Sequence, residues 1–156
     1  MARTTFSGPV VSENGFAISG SGSVVNITAE TSLTFASHAG RIIEINDADG
    51  AVTLPAITTG TIGATYRFFI GTDCSDCDIK TDGTDKFVGS ISVGVTNGTH
   101  KRFVPGATND VISMNGTTTG GIANSYVEIT ALATAEYLVQ GQLIGSGTIA
   151  TPFADS

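Results

Sequence analysis

Ala64-Thr65-Tyr66-Arg67-Phe68-Phe69-Ile70 alternates as a half-buried strand does, with Tyr66, Phe68 and Ile70 on one face and Thr65, Arg67 and Phe69 on the other. The first face is apolar enough to be core, and the stretch is too short and too β-branched or aromatic to read as a helix. Upstream, Arg41-Ile42-Ile43-Glu44-Ile45 and Ala51-Val52-Thr53-Leu54 flank Asn46-Asp47-Ala48-Asp49-Gly50. Asp-Gly at 49–50 supplies the positive φ angles of a reversing turn, so this pair predicts a hairpin. Downstream, Ser125–Ala131 and Tyr137–Ile144 predict a closing hairpin across Ala133-Thr134-Ala135-Glu136. A helix over 130–140 competes there, because Ala131, Leu132, Ala133 and Ala135 favour it.

The same pattern recurs at Val24–Thr28, Ile79–Thr81, Lys86–Val95, Lys101–Val104 and Asp110–Asn115, each bounded by Gly, Asn or Asp. The chain carries 23 Thr and 20 Gly, a usage suited to pleated strands and tight turns. The expected fold is all-β: a single compact β-sandwich or β-barrel, jelly-roll-like or tulip-like, with an extended N-terminal arm. The β domain spans 24–144. Residues 1–23 read as the arm, since Ser7-Gly8-Pro9 and Ser19-Gly20-Ser21-Gly22-Ser23 bracket Val10–Val11 and Phe16–Ile18, and an arm carrying Phe6, Val10, Val11, Phe16 and Ile18 needs another surface to cover them. Residues 145–156 read as a C-terminal tail, and either end could instead lie back on the domain. No internal repeat of solenoid length is visible.

At 156 residues the chain has room for one domain with a substantial core. Only 13% of residues are charged against 40% hydrophobic, which excludes the composition of a disordered chain. A formal charge of −7 argues against binding nucleic acid or an anionic membrane on its own. Neither a secretion signal nor a membrane span is read, so the product is expected to be soluble in a cytoplasm.

No motif assembles a reaction. Cys74-Ser75-Asp76-Cys77 has C-x-x-C spacing but no second pair, and His38 and His100 stand apart, so a local disulfide or two free thiols is expected ahead of zinc or redox chemistry. Asp47-Ala48-Asp49-Gly50 and Asp82-Gly83-Thr84-Asp85 cluster oxygens as calcium loops do, yet each is short of ligands and reads better as a turn. No Gly-x-Ser-x-Gly elbow occurs, and Glu13, Glu30, Glu44, Glu128 and Glu136 carry no spacing that implies a glycosidase pair. His100-Lys101-Arg102 reads as a solvated strand edge or a contact for an acidic surface. No catalytic, cofactor-binding or metal-ligating residue is assigned.

Three blocks of sequence resemble capsid decoration proteins, also called cement or head-stabilising proteins, of tailed bacteriophages. They are Phe6–Phe16; Leu33–Arg41 with Gly50–Pro55 and Gly63–Phe68; and Tyr126–Ile129 with Tyr137–Gly141 and Gly147–Phe153. The resemblance implies a virion protein, assembled in the bacterial cytoplasm, that binds the outer face of the expanded capsid as a homotrimer at threefold or quasi-threefold positions. It implies the major capsid protein as partner, no nucleic acid, no membrane, no cofactor and no enzymatic activity. Phe6, Pro9, Val10, Val11, Phe16 and Ile18 are then the capsid-contact candidates. Phe68, Tyr126, Tyr137, Val139 and Leu143 are trimer-interface candidates, or equally the core of one protomer. Two alternatives stay open: a head-fibre or receptor-binding module recognising host glycan, and a small β-sandwich sugar-binding protein or hydrolase.

Overall fold

The computed structural model describes residues 23–96 and 98–156. The arm, and with it all six capsid-contact candidates, lies outside the described residues. Twelve strands and one short helix follow in order: β1 Val24–Ile27, β2 Thr31–Ser32, α1 Phe35–His38, β3 Ile42–Ile45, β4 Ala51–Thr53, β5 Thr65–Ile70 and β6 Cys77–Lys80. Then come β7 Lys86–Val95, β8 His100–Phe103, β9 Val111–Met114, β10 Tyr126–Ala133, β11 Glu136–Gly145 and β12 Phe153–Ala154. They form a seven-stranded sheet, β1-β3-β5-β10-β11-β7-β8, and a five-stranded sheet, β12-β9-β6-β4-β2. The fold is the expected all-β sandwich.

One core fills the space between the sheets. Ile43, Ile45, Tyr66, Phe68, Ile70, Val127, Ile129, Tyr137, Val139 and Leu143 come from the larger sheet, and Val52, Ile79, Ile112, Met114 and Phe153 from the smaller. Alternation along each strand produces this arrangement, because every second side chain meets the facing sheet. Tyr66, Phe68 and Ile70 are all buried, as their shared face predicts.

The first half of the chain departs from the expected hairpin. β3 and β4 do not pair with each other: β3 lies parallel between β1 and β5 in one sheet, and β4 lies parallel between β2 and β6 in the other. The chain therefore winds as a coil of three turns, each turn giving one strand to each sheet. The two mixed sheets that result are not those of a purely antiparallel jelly roll. The reason lies at the corner. A hairpin would set the apolar faces of Ile43 and Ile45 and of Val52 side by side in one sheet, whereas crossing over sets them against each other through the core.

Successive corners also bond to each other. The Ala48 carbonyl accepts from the N–H groups of Ser75 (2.6 Å) and Asp76 (3.1 Å) one turn later. Asn46 Nδ2 donates to Asn26 Oδ1 at 3.0 Å, and Thr72 Oγ1 donates to Asn46 Oδ1 at 3.3 Å, a ladder that runs through three turns of the coil. Gly71 stands beside this ladder, where a Cβ would meet the Asn46 carboxamide. Backbone groups exposed at a corner thus find partners in the neighbouring turn, which a lone hairpin loop could not offer.

The second half follows the sequence closely. β10 and β11 form the closing hairpin, with Ala133 opposite Glu136 and Ala135 at φ 66° in the two-residue turn. The helix over 130–140 does not form. β7 and β8 form a hairpin, and β8 is an edge strand, which puts His100, Lys101 and Arg102 where charge discourages edge-to-edge pairing. The closing residues are not a loose tail. β12 pairs with β9, and Phe153 is buried against Phe87 with 6.5 Å between ring centroids. Asp110 accepts from the Ser156 N–H (2.8 Å) and hydroxyl (2.9 Å) and from Lys86 Nζ (3.1 Å), tying these residues down.

Candidate functional site

Each strand of the larger sheet buries one face and turns the other outward, and strand register converts the outward residues into rows. One row runs Val24, Ile42, Arg67, Glu128, Gln140 and Ser90 across six strands. The next runs Asn26, Glu44, Phe69, Tyr126, Gln142, Ser92 and Arg102 across all seven. The sheet curves enough that Val24 on one edge strand and Arg102 on the other line the same depression, of about 930 Å³. With neighbouring strands roughly 4.8 Å apart, the six steps from β1 to β8 measure about 29 Å along the sheet, and less in a straight line because the sheet curves.

The floor is held by side chains that bond to one another. Arg67 Nε donates to Glu128 Oε2 at 2.9 Å, and Gln140 Nε2 donates to Glu128 Oε1 at 2.9 Å. Arg102 Nε donates to Ser90 Oγ at 2.8 Å. The hydrogen bonds from Arg67 and Gln140 hold the Glu128 carboxyl below the usual carboxylate range. It is therefore ionised at neutral pH and works as an acceptor. Tyr126 projects into this polar floor, 53% exposed, with Phe69 opposite it on β5. Two arginines and two glutamates line the depression, so its formal charges cancel.

The trimer-interface candidates separate here. Phe68, Tyr137, Val139 and Leu143 are buried in the core of their own protomer and are unavailable to a neighbour, because each sits on the inward phase of its strand. Tyr126, on the outward phase of β10, is the one that stays exposed. Cys74 and Cys77 form a local disulfide, one of the two arrangements the sequence left open. Both cysteines are buried, and Gly121, at φ 100°, closes over Cys74 with no room for a Cβ.

The acidic clusters behave as turns. Asp82 Oδ1 accepts from the N–H groups of Thr84 (3.0 Å) and Asp85 (3.1 Å). Burial alone would raise its carboxyl, but these bonds and the Thr84 hydroxyl outweigh burial and lower it. Asp85 is buried and accepts from the Ile57 N–H at 2.8 Å, yet burial prevails and raises its carboxyl. His38 accepts from the Thr34 N–H at 2.9 Å and so caps α1 locally. Among the described residues no group of three or more His, Cys, Asp or Glu converges as a metal site would, and no helix is long and apolar enough to cross a membrane.

Sequence reasoning missed Glu44, Gln140, Ser90, Ser92 and Arg102 as partners in one depression. Alternation marks each as outward-facing, but only strand order places residues from β3, β7, β8 and β11 together. Comparison of the chain with protein-family models, with curated proteins and with solved structures gives no match.

Proposed function

We propose that this protein decorates the outer surface of a tailed-bacteriophage capsid, binding the major capsid protein of the expanded shell as a homotrimer. The observation that carries the reading is where the resembling blocks fall in the fold. Gly63–Phe68 and Tyr126–Ile129 are far apart in the chain, yet they pair as β5 and β10, with Phe68 opposite Val127 and Arg67 opposite Glu128. Leu33–Arg41 and Tyr137–Gly141 lead into or belong to the strands on either side, β3 and β11. Four of the resembling pieces thus meet on or beside neighbouring strands of the larger sheet, while Gly50–Pro55 and Gly147–Phe153 run into β4 and β12 of the smaller sheet and Phe6–Phe16 lies outside the described residues.

A protein that attaches to the expanded lattice and to no other state stabilises that lattice by mass action, by an amount set by its affinity and free concentration. No bond is made or broken, so the work required is surface complementarity repeated over many copies. Cyclic symmetry lets one protomer surface engage three equivalent capsid sites.

The test is the number of copies of this polypeptide per major capsid subunit in purified particles, by quantitative mass spectrometry. A ratio approaching one copy per capsid subunit supports surface decoration, and a handful of copies per particle or none refutes it. Deletion of residues 2–18 is expected to leave a folded domain that no longer attaches to capsids. Normal occupancy by the truncated protein would remove the arm from the reading.

A further inference from the structure

We infer that the depression on the seven-stranded sheet is a binding site for a neutral oligosaccharide. The inference stands on the outward rows of that sheet and does not depend on the capsid reading.

Charge narrows the ligand first. Arg67 and Arg102 are matched by Glu44 and Glu128, and the Arg67–Glu128 pair is already closed by a direct hydrogen bond. An anionic ligand would meet the glutamates and a cationic one the arginines, while an uncharged ligand meets no unbalanced field. Surface chemistry narrows it again. Its lining is mixed: Val24, Ile42 and Phe69 give apolar surface around Tyr126, while Glu44 and Glu128 accept, Arg67 and Arg102 donate, and Gln140, Ser90 and Ser92 do both, a combination that a wholly apolar ligand would leave unmatched.

A peptide is disfavoured for a different reason. β3, β5, β10, β11 and β7 are each paired on both sides, so a peptide backbone could add a strand at the ends of the depression, on β1 or β8, but not along its floor. Sugar hydroxyls need no such edge. They can be matched singly by Glu, Gln, Ser and Arg side chains, and the apolar face of a pyranose ring can rest on an exposed aromatic side chain. Tyr126 supplies that aromatic surface at the middle of the row, beside Phe69. Some of the side chains that would meet the sugar, Arg67, Glu128 and Gln140 and the Arg102–Ser90 pair, are already held by bonds to each other, which lowers the ordering cost of binding. A depression lined from β1 to β8, across seven strands, suits several sugar units in line rather than a monosaccharide.

The experiment screens the purified full chain on an array of neutral glucans, mannans, galactans and N-acetylhexosamine oligomers beside sialylated and sulfated glycans. The strongest neutral hit is then titrated by calorimetry. Binding to neutral oligomers, strengthening with chain length and little changed by salt, is the expected result. Tyr126→Ala is expected to weaken it by roughly tenfold, the loss of one aromatic contact. Leu132→Ser, an exposed position outside the depression, is expected to leave it unchanged. Both side chains are exposed, so both variants should unfold at the wild-type midpoint. No neutral hit, binding confined to charged glycans, or binding indifferent to Tyr126→Ala would each overturn the inference. So would a protein whose trimer falls apart on Tyr126→Ala while no sugar binds, since the face would then be a contact between copies.

Discussion

Tyr66 and Tyr137 stand edge to face in the core, 6.5 Å between ring centroids and 72° between ring planes, yet their hydroxyls meet opposite conditions. The Tyr137 hydroxyl donates to the Pro55 carbonyl, while the Tyr66 hydroxyl has no hydrogen-bond partner among the described residues. Conversion to Phe should therefore act with opposite sign at two touching rings. A buried hydroxyl without a partner costs about 1–3 kcal/mol, so Tyr66→Phe is expected to stabilise by about 1 kcal/mol. Tyr137→Phe removes a bond and strands a carbonyl, with an expected loss of about 1.5–3 kcal/mol. At this length each kcal/mol moves the thermal midpoint by about 2–4 °C.

Urea unfolding followed by far-ultraviolet circular dichroism reads both variants, and the slope with denaturant should stay constant because the buried surface does not change. Burial raises both phenols above their ordinary value, Tyr137 further through the charges of Asp85 and Asp82. For these acids the folded state favours the neutral form. Stability is complete below the unfolded pKa of about 10 and is lost as pH climbs beyond it. Tyr66→Phe should remove part of that alkaline loss. A Tyr66→Phe midpoint lowered as far as that of Tyr137→Phe would refute the account.

Two further predictions concern acid and the closing strand. For Asp110, hydrogen bonds from Ser156 and Lys86 outweigh burial and lower the carboxyl, so its contribution is present above the unfolded pKa of about 4 and lost as pH falls through the lower folded value. Asp85 is raised by burial, so its sign is reversed and stability is gained as pH falls through the raised value. Unfolding free energies between pH 2 and 6 should show Asp110→Asn less stable at pH 6 with a shallower acid limb, and Asp85→Asn no less stable there. Phe153→Ala should cost about 3–5 kcal/mol, because it opens a cavity beside Phe87 under β12. An unchanged urea midpoint would mean that 153–156 do not hold the sandwich closed.

Much of the second half was legible because its signals are local. Lys86–Val95 alternates over a full strand, and the β10–β11 hairpin reverses through two residues. The coil was not legible, since Ile43 and Ile45 alternate identically whether the next strand returns beside them or crosses to the facing sheet. Parallel neighbours such as Ile42 and Arg67 leave no turn between them to announce the pairing. The same limit hid the depression. Arg67 and Glu128 are 61 residues apart, and nothing near either one names the other. Phe68, Tyr137, Val139 and Leu143 could not be told from interface anchors, because a buried strand face and a docking face use the same side chains.

Among the described residues, the strands of the coil pair with those of the second half along two seams, β5 against β10 in one sheet and β6 against β9 in the other. On a ribosome, the third turn of the coil is finished well before the strands that cover it exist. Its last edge, with Phe68 and Ile70 facing inward, must wait open until 111–133 have been synthesised. An open strand edge backed by apolar side chains is a template for any neighbouring chain, and many copies made at once raise that hazard. Faster synthesis does not lengthen that edge but brings more such edges together at once, so the folded share should fall as expression rate rises.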